Sequence, residues 1–404
     1  MTIKENALEK LKVIYGDCVN EEILNRFNYE VNILINEYHL EEIINNVANY
    51  VKEEKGKGRI LIPRLATNNS LLYYLIGISD VNPLPRHTYC QKCHTFHWGE
   101  SKKEKSCQCC GEVLQKDGYD LPFDILLQSI EKGSIRFQYS SNEDYEHSAL
   151  PIKLYKNSLA RFVEELKIDI DTLPSSKELT EIGRCLSLPR YYTQKYIKTK
   201  LCDHRPFVGM PEFGNKSYSK YAGLYDVLKN FDDFVKFFTL MHGTRVNDAN
   251  NRFILGKSNN VQECISSYDE LYQLLKKYRI DKKDALRMCY EVREKSNAGL
   301  SKLSISQLEE AGVDSRYILF MRNIFYIFYK GHSVSHLRAV LNIANIYLKN
   351  PKRYYEAYFN INSQLVDKVD KNSDLVRGYI EHKETELEEI YLALIDCKER
   401  GIIL

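Results

Sequence analysis

Apolar residues recur every three or four positions through the first part of the chain, with polar residues between them. Ile23, Phe27, Val31 and Ile35 follow this spacing, which places side chains on one face of an α-helix. The pattern predicts three amphipathic helices near the N-terminus. Their predicted bounds are Ala7–Tyr15, Glu21–Tyr38 and Glu41–Lys55.

The pattern changes after these helices. Gly58–Ile62 reads as a short strand before a proline, and Asn69–Ile78 reads as a buried helix. Gly, Pro and Lys recur through residues 82–120 around the cysteines, which predicts a loop-rich insert. Ser158–Lys167 predicts a further amphipathic helix, and the Ser175/Glu178 spacing is that of a capping box.

From residue 215 onward the periodicity predicts helix almost throughout. Ile318, Met321, Phe325 and Phe328 keep a helical spacing, so the chain is maintained as a folded protein. The predicted breaks are Gly243, Gly256, Gly299, Gly312, Gly331 and Pro351. Among thirty tyrosines, four are expected to lie half-buried in helical interfaces: Tyr73, Tyr74, Tyr354 and Tyr355.

Composition indicates an ordinary globular protein. The chain has 404 residues, 44% hydrophobic and 28% charged, which predicts two or three domains with a substantial core. No apolar run approaches the roughly 18 residues that span a bilayer. Met1–Lys10 lacks the apolar core of a signal peptide. We therefore expect a cytoplasmic protein without a membrane partner.

The net charge of +2 neither requires nor excludes a nucleic-acid partner. Proteins that neutralise many phosphates usually carry a stronger basic excess. The basic runs here are short: Lys52–Lys57, Lys102–Lys105 and Lys195–Lys200. A solvated surface is the default interpretation of each run, so charge alone does not favour nucleic-acid binding.

Cysteine spacing is the strongest local signal. Eleven cysteines are present, and five of them fall within twenty-one residues. Cys90 and Cys93 form one C-x-x-C pair, and Cys107 and Cys110 form a second pair after a thirteen-residue interval. Two such turns can direct four thiolates at one ion in the tetrahedral arrangement that Zn²⁺ prefers. We predict a closed, structural zinc site, because four thiolates leave no open coordination position.

Neighbouring residues leave some alternatives open. Cys109 breaks the spacing and is interpreted as a bystander, while His94 and His97 lie near enough to compete as ligands. The other interpretation is a surface loop of reduced thiols without a metal.

Several segments of the chain, and their order, resemble those of one known protein family. Asp80–His87, the four cysteines and then Lys116–Phe123 resemble the zinc-bearing segment of PolC-type alpha subunits of bacterial DNA polymerase III. Further similar segments follow in the family's order from the palm through the fingers domain: Ala7–Gly16, Gly209–Gly214, His242–Thr244, Lys330–His332, Asn350–Phe359 and Glu388–Gly401.

The resemblance implies an α+β fold that is mostly helical, a reduced polymerase palm with a zinc-ribbon insert and a helical fingers domain. The thumb is expected to be absent. The implied divisions are 1–87 for the first part of the palm, 88–122 for the zinc ribbon, 123–175 for the second part of the palm, 176–370 for the fingers and 371–404 for a C-terminal helical segment.

The family's catalytic carboxylates do not have matching residues here. Its polymerases hold two divalent ions with three aspartates, two of them on a strand that has no counterpart between Phe123 and Ile135. Leu150 occupies the position expected for the third aspartate, and leucine cannot coordinate Mg²⁺. Asp144 or Glu146 could substitute. We expect Mg²⁺ only if polymerase activity is retained.

The resemblance also suggests nucleotide-binding positions. The family's glycine-rich phosphate loop is matched by Pro63–Ser70, where Arg64 is kept and every glycine is lost, and Ser267 stands where the family has an arginine. The candidate nucleotide or DNA contacts are Arg64, His242, Arg245, Lys330 and His332. The favoured alternative for these residues is inherited helix packing and capping.

We therefore predict a PolC-like protein that acts by binding DNA or a replisome protein and does not transfer nucleotides. One alternative is an active minimal DNA-directed DNA polymerase. Another is a decoy that binds nucleotides or small molecules through the retained fingers. No clamp-binding peptide is recognised at the C-terminus.

Overall fold

The computed structural model describes most of the chain. The described residues are 2–17, 19–99, 106–133, 135–187, 190–192, 201–203, 207–213, 221–294, 300–369, 374–382 and 385–403. The basic runs Lys102–Lys105 and Lys195–Lys200, the helix start expected at Asn215 and the break expected at Gly299 lie outside them.

The chain divides into two compact units. Unit 1 comprises Met1–Lys156, Ser267–Glu291 and Phe328–Ser335. Unit 2 comprises Asn157–Ser266, Val292–Ile327 and His336–Leu404.

Helices make up most of the described residues. In chain order they are α1 Ile3–Tyr15, α2 Glu21–Val31, α3 Glu41–Gly56, α4 Leu71–Leu75, α5 Phe123–Glu131, α6 Ser158–Glu165, α7 Ser176–Ser187, α8 Phe231–His242, α9 Val246–Ala249, α10 Tyr268–Lys277, α11 Lys282–Glu294, α12 Lys302–Glu310, α13 Ser315–Asn323, α14 Lys330–Lys349, α15 Pro351–Ile361, α16 Ser363–Val366, α17 Leu375–Glu381 and α18 Glu388–Glu399. Short π-helical turns cover Asn32–Glu37 and Asn250–Ile254, and 3₁₀ turns cover Leu65–Asn69 and Val261–Glu263. The predicted α+β, mostly helical class is confirmed.

Nine strands form three small sheets. The strands are β1 Ile62–Pro63, β2 His87–Tyr89, β3 Phe96–Trp98, β4 Gln115–Asp117, β5 Phe137–Ser141, β6 Tyr145–Glu146, β7 Ile152–Lys156, β8 Arg190–Tyr192 and β9 Leu201–Asp203, all among the described residues. One sheet has the order β1-β5-β7-β6, a second has the order β3-β2-β4, and β8 pairs with β9.

The four-stranded sheet of unit 1 is mixed. Strands β5 and β7 run parallel with Phe137 opposite Ile152, while β1 and β6 add antiparallel edges. Tyr139 on β5 is fully buried, and its hydroxyl donates to the Ile78 carbonyl at 3.0 Å. Burial of Phe137 and Tyr139 on the same face of β5, together with this hydrogen bond, therefore fixes the sheet against the segment that follows α4.

A buried carboxylate organises the segment between β1 and α4. Glu30 on α2 is completely buried and accepts hydrogen bonds from the Ser70 hydroxyl at 2.6 Å and the Leu72 N–H at 3.0 Å. It also pairs with Arg26 one helical turn earlier. The first turn of α4 is thus capped by a side chain from α2, because the N–H groups of a first helical turn have no partner within the helix.

Most predicted helices are present, with changed ends. Helix α1 begins four residues earlier than expected, because Thr2 and Glu5 form a capping box. The capping box at Ser175 and Glu178 is also present, with hydrogen bonds of 2.6 and 3.4 Å. The helix predicted over Glu21–Tyr38 instead changes to a π-helical turn after Val31.

Two other predicted segments are shorter than expected. Of the strand expected over Gly58–Ile62, only Ile62 is in a strand, and the observed β1 extends to Pro63. Ile62 and Pro63 pair with Ser140 and Tyr139 of β5. The helix expected over Asn69–Ile78 is reduced to α4, preceded by a 3₁₀ turn.

The helical periodicity predicted from Ile318 to Phe328 is wrong at its end. Helix α13 stops at Asn323, and Tyr326 forms a β-bridge with Thr244. Phe328 is buried in non-helical backbone. The β-bridge between Tyr326 and Thr244 therefore stands in place of the last helical turn that the periodicity predicted.

Aromatic residues dominate the core of unit 2. Tyr354 and Tyr355 were expected to be half-buried, but both are fully buried, as is Tyr347. The buried carboxylate of Asp396 on α18 accepts hydrogen bonds from the hydroxyls of Tyr347 and Tyr355 and from Arg400 Nε at 2.9 Å. Tyr73 in unit 1 is likewise fully buried.

Within the part of the chain that the structure describes, no helix has both the length and the apolar character needed to cross a membrane.

Candidate metal centre

The four predicted cysteines lie at one end of the β3-β2-β4 sheet in unit 1. Cys90 directly follows β2, and Cys93 lies in the turn that leads into β3. Cys107 and Cys110 lie in a second turn that precedes β4. Because β2 is the central strand and pairs with both β3 and β4, the two cysteine turns lie side by side at this end of the sheet.

The two turns share one backbone geometry. In each, the first cysteine's N–H donates to the carbonyl five residues later, at 2.9 Å for Cys90 and 2.7 Å for Cys107. The residue after the second cysteine then donates back to the first cysteine's carbonyl, at 2.9 Å from His94 and 2.8 Å from Gly111. This pair of bonds closes each turn and directs its two thiols to the same side.

Left-handed backbone is needed at the end of both turns. Gly111, directly after the second pair, has a φ of 75°, and His94, directly after the first pair, has a φ of 58°. Glycine adopts this conformation without steric cost, whereas a residue with a Cβ does not. The first turn therefore carries strain that the second avoids.

The sulfur atoms form a compact cluster. Cys90 Sγ lies 3.4 Å from Cys110 Sγ, and Cys93 Sγ lies 3.3 Å from Cys107 Sγ. All four sulfurs lie within 4.8 Å of one another. A tetrahedral ion with bonds of about 2.3 Å requires sulfur separations of roughly 3.8 Å, so the set fits a metal ion such as zinc.

Hydrogen bonds to two of the sulfurs, those of Cys93 and Cys107, favour the thiolate form that a metal binds. Against the lowering effect of the Glu112 backbone, contacts with the Cys90, Cys93 and Cys107 side chains raise the pKa of Cys110 to about 12. The Thr95 hydroxyl lies 3.1 Å from Cys93 Sγ. This hydrogen bond, together with one from the Thr95 backbone N–H, lowers the pKa of Cys93 to about 5. Hydrogen bonding from the Cys110 backbone lowers the pKa of Cys107. A thiol that is already deprotonated, as Cys93 is at neutral pH, releases no proton when it binds a metal.

Among the described residues, these four cysteines form the only group of three or more His, Cys, Asp or Glu side chains that could share an ion. Cys109 is exposed, and neither it, His94 nor His97 belongs to the group. His94 faces α1 instead, with Nδ1 3.4 Å from the Ile14 carbonyl.

A buried polar network that the sequence did not reveal attaches the sheet to α1. His87 Nδ1 donates to the Pro85 carbonyl at 2.8 Å, because a carbonyl can only accept. Nε2 is then the acceptor for the Tyr15 hydroxyl at 3.0 Å. Asn82 donates to Tyr15 at 2.9 Å and to Asp117 at 2.7 Å.

Burial keeps His87 uncharged, against the opposing effects of the Pro85 carbonyl and Asp117. Burial lowers the pKa of His87 and raises that of Tyr15, so both side chains stay neutral at physiological pH. Tyr15, Tyr89, Phe96 and Trp98 surround the imidazole through ring contacts. The centre is therefore supported by a small aromatic core shared between α1 and the sheet.

Three of the predicted nucleotide-binding residues lie in unit 1. Arg64 donates to the Ser140 hydroxyl at 2.9 Å and lies 5.0 Å from the Tyr155 ring centroid. His332 is buried beside Phe328, with ring centroids 4.7 Å apart. Lys330 begins α14, and its backbone N–H donates to the Asp269 carboxylate at 2.8 Å.

Asp269 links this helix start to the 3₁₀ turn after Arg64. Its other carboxylate oxygen accepts from the Asn69 amide at 2.9 Å. Burial raises the pKa of Asp269, against the lowering effect of the Lys330 and Asn69 hydrogen bonds. A Cβ on Gly331 would lie 2.7 Å from Asn68 Cβ, so the helix and the turn pack in direct contact.

The other two predicted residues, His242 and Arg245, lie in unit 2. His242 Nε2 is 2.7 Å from Glu212, and His242 Nδ1 is 2.8 Å from the Phe238 carbonyl. Arg245 is exposed in a left-handed conformation, with its guanidinium 4.4 Å from the Phe325 ring centroid. Each predicted residue therefore has a structural contact within its own unit.

Leu150 lies in the bend before β7. Its N–H donates to His147 Nδ1 at 3.0 Å, and its side chain is half-buried. Asp144 accepts from the Lys156 N–H at 2.9 Å, and Glu146 pairs with Lys153 at 3.0 Å. Both acids are exposed.

Together, these features define a mostly helical α+β protein with a four-thiol centre on a small antiparallel sheet. The PolC-type DNA polymerase III of Caldanaerobacter subterraneus subsp. tengcongensis is 22% identical over 96% of this chain and 35% of that protein. The PolC-type enzyme of Clostridium perfringens is 22% identical over 99% of this chain and 35% of that protein. The Bacillus subtilis enzyme is 30% identical over 31% of this chain and 9% of that protein.

The chain is a relative of the PolC-type DNA polymerases III, which confirms the resemblance predicted from its motifs. It spans about a third of the length of the relatives that it matches from end to end. No family model matches the chain.

Proposed function

We propose that this chain is a PolC-like protein that acts by binding nucleic acid or a replication protein, without nucleotidyl-transfer activity. The observation that carries the proposal is the identity of one residue in the bend before β7 of the four-stranded sheet. Leu150 stands where the resemblance expects a metal-binding aspartate. Replacing that carboxylate removes a ligand that a two-ion mechanism requires.

The neighbouring acids support the same conclusion. Glu143 pairs with Arg59, Asp144 closes the loop against Lys156 and Glu146 pairs with Lys153. These acids are exposed, and each already has a partner on the same sheet or an adjacent segment. They do not form an anionic pocket for two divalent ions.

We assign residues 1–87 and 123–175 to the reduced palm, 88–122 to the zinc ribbon, 176–370 to the fingers and 371–404 to the C-terminal helical segment. The metal in the ribbon is zinc with a structural role. Four thiolates complete its coordination, and each strand of the β3-β2-β4 sheet is only three residues long, so the metal supplements a small aromatic core.

Primer extension tests the absence of catalysis. The purified full chain at high concentration is incubated with a primed template, all four dNTPs and either Mg²⁺ or Mn²⁺. We expect no templated extension with either ion. Sustained incorporation would contradict the proposal and establish the active minimal polymerase.

Cationic and aromatic side chains in unit 2 support the nucleic-acid form of the proposal. The segment around Thr244–Ile254 packs against α13, and Thr244 bridges to Tyr326. Three arginines there lie against rings: Arg245 on Phe325 at 4.4 Å, Arg293 on Tyr326 at 4.6 Å and Arg252 on Phe253 at 5.1 Å. Cationic surfaces with aromatic rings bind single strands through phosphate contacts and base stacking.

Fluorescence anisotropy with a labelled single-stranded DNA at low salt tests this form. Arg245 and Arg252 are both exposed, and we expect Arg245→Ala combined with Arg252→Ala to weaken binding by about tenfold or more. The slope of log affinity against log salt should fall by about 0.7 for each lost phosphate contact.

Arg316→Ala is the matched control. Arg316 is an exposed arginine on α13, but it is paired with Asp314 at 2.8 Å. An equal loss in the control would contradict the assigned surface. No DNA binding by the wild-type chain would reject the nucleic-acid form, and a pulldown against replication proteins would then test the other.

A further inference from the structure

Positive charge is concentrated where α10 meets α11 in unit 1. Residues 276–284 contain five cationic and two acidic side chains, an excess of three positive charges in a chain whose net charge is +2. Lys277, Arg279 and Lys283 are exposed. Within the part of the chain that the structure describes, none of these three side chains has an ion pair or a hydrogen bond. The turn therefore presents three cations to a ligand.

Both acids of this segment have other partners. Asp281 accepts a hydrogen bond from the Lys283 backbone N–H at 2.8 Å, at the start of α11. Asp284 pairs with Arg287 on the same helix at 2.8 Å. The two carboxylates therefore satisfy groups of α11, and the charge of the three exposed cations faces solvent.

The backbone at Arg279 shows that this cation is placed at a conformational cost. Helix α10 ends in a Schellman motif, in which the Arg279 N–H donates to the Lys276 carbonyl at 3.0 Å and the Ile280 N–H donates to the Leu275 carbonyl at 3.3 Å. Arg279 has the left-handed conformation that the motif requires, with a φ of 59°. Glycine is the usual residue at this position, because a Cβ makes left-handed backbone unfavourable.

Other helices of this chain end in the same motif with glycine. Gly58, Gly312 and Gly401 follow α3, α12 and α18, each with a positive φ and the same two backbone hydrogen bonds. Arg279 therefore departs from the residue that the backbone favours. A non-glycine residue kept in a strained conformation at the surface points to a function of its side chain.

Helix α6 provides a comparison for charge at a helix end. Lys167 occupies the same position of the same motif, is exposed and has a φ of 47°. A cation there interacts favourably with the C-terminal end of the helix dipole, which accounts for Lys167. Four acids lie within residues 164–171, so the surroundings of Lys167 are acidic. A cluster of exposed cations distinguishes Arg279.

The chemistry of the α10–α11 turn fits a phosphate backbone better than a protein partner. Protein interfaces are anchored by apolar and aromatic residues at their centre. Ile280 is the only aliphatic residue of 276–284 and it is buried, while Tyr278 is half-buried. Phosphates need only cationic and hydrogen-bonding groups, and contacts to them carry no direct base information.

We propose that the α10–α11 turn binds the phosphodiester backbone of nucleic acid through Lys277, Arg279 and Lys283, independently of base sequence. The inference rests on the nucleic-acid form of the function proposed above, and it adds a contact in unit 1 to the arginines of unit 2. Duplex and single strand share this backbone chemistry, so the test has an arm for each.

The test measures fluorescence anisotropy of the full chain with a labelled duplex and a labelled single strand, each in two unrelated base sequences. Arg279→Gly should weaken binding about tenfold, equally for both sequences. The slope of log affinity against log salt should fall by about 0.9 on duplex or 0.7 on single strand. The urea midpoint of Arg279→Gly should not fall, because glycine relieves the left-handed conformation. A purely structural role would not separate binding from stability in this way.

Two matched variants control for charge and for backbone. Arg279→Lys keeps the cation and should retain binding within about twofold. Lys167→Gly removes an exposed cation from the same helix-end motif and should leave binding unchanged. An equal loss of binding in Lys167→Gly would overturn the inference.

The remaining outcomes separate this inference from the function proposed above. Wild-type binding that is unchanged in the combined variant Lys277→Ala, Arg279→Gly and Lys283→Ala would overturn the inference and leave the proposed function standing. Absence of DNA binding by the wild-type chain would reject both. Competition by poly-glutamate as effective as that by DNA of equal charge would overturn the assignment to nucleic acid in favour of an acidic protein.

Discussion

The backbone of Gly16 lies directly against the side chain of His94. A Cβ placed on Gly16 would be 2.7 Å from His94 Cβ and 2.8 Å from Cγ. Gly16 ends α1 with a φ of 83°, and His94 ends the first cysteine turn with a φ of 58°. Two left-handed residues therefore meet where the metal centre contacts the first helix.

Gly16→Ala should destabilise unit 1 and weaken zinc retention. The left-handed conformation costs an alanine about 1–2 kcal/mol, and displacement of His94 adds to that cost. Chemical denaturation and zinc titration measure the two effects. Gly58→Ala is the matched control, because Gly58 has a φ of 84° and no neighbouring atom within 4 Å. Equal effects of the two substitutions would mean that the His94 contact contributes nothing.

Removing a cysteine ligand should remove the metal. Cys90→Ser and Cys107→Ser each replace a buried sulfur of the cluster, and we expect both variants to lose most bound zinc and unfold the β3-β2-β4 sheet. Cys109→Ser should keep one zinc per chain. Metal analysis after dialysis, together with circular dichroism, checks this. Full zinc occupancy in Cys90→Ser would contradict the assigned ligand set.

Leu65 carries backbone strain in the turn after Arg64. Its φ is 53°, and its side chain is half-buried. Leu65→Gly should raise the free energy of unfolding by up to about 1 kcal/mol, since glycine removes a left-handed penalty of about 1–2 kcal/mol and loses some apolar burial. Ala66→Gly should instead destabilise by about 1 kcal/mol, because Ala66 is buried without a positive φ. Urea denaturation distinguishes the two directions.

Glu212 should stabilise unit 2 at neutral pH and cease to do so in acid. Burial alone would raise its pKa, but His242 at 2.7 Å and His336 at 3.8 Å hold the pKa of Glu212 well below 4.5. A carboxyl group with a lowered folded-state pKa contributes fully above its unfolded value, and the contribution is lost as the pH falls through the folded value. We expect Glu212→Gln to cost about 2 kcal/mol at pH 7.

The pH profile provides the decisive measurement. The wild-type free energy of unfolding should fall more steeply than that of Glu212→Gln as the pH drops below 4.5. Glu309→Gln, at an exposed position on α12, should leave the profile unchanged. Parallel profiles for wild type and Glu212→Gln would show that the two histidines do not stabilise this carboxylate.

The local pattern of apolar and polar residues was sufficient to predict several elements. Helices α1, α3 and α6 followed from apolar spacing, because one face of an amphipathic helix must be buried whatever it packs against. The Ser175/Glu178 capping box followed from two residues three positions apart. Elements that depend on distant partners were not predictable in this way: α13 ends early where Tyr326 pairs with Thr244.

The sequence by itself determined the cysteine spacing, the mostly helical composition and the relationship to PolC-type polymerases. These properties depend on local periodicity and on motifs read along the chain. Only the tertiary structure decided that His94 takes a left-handed conformation against Gly16, and that the His87–Tyr15–Asn82–Asp117 network joins the metal-bearing sheet to α1. The physical reason is that hydrogen-bond satisfaction and close packing are properties of neighbours in space.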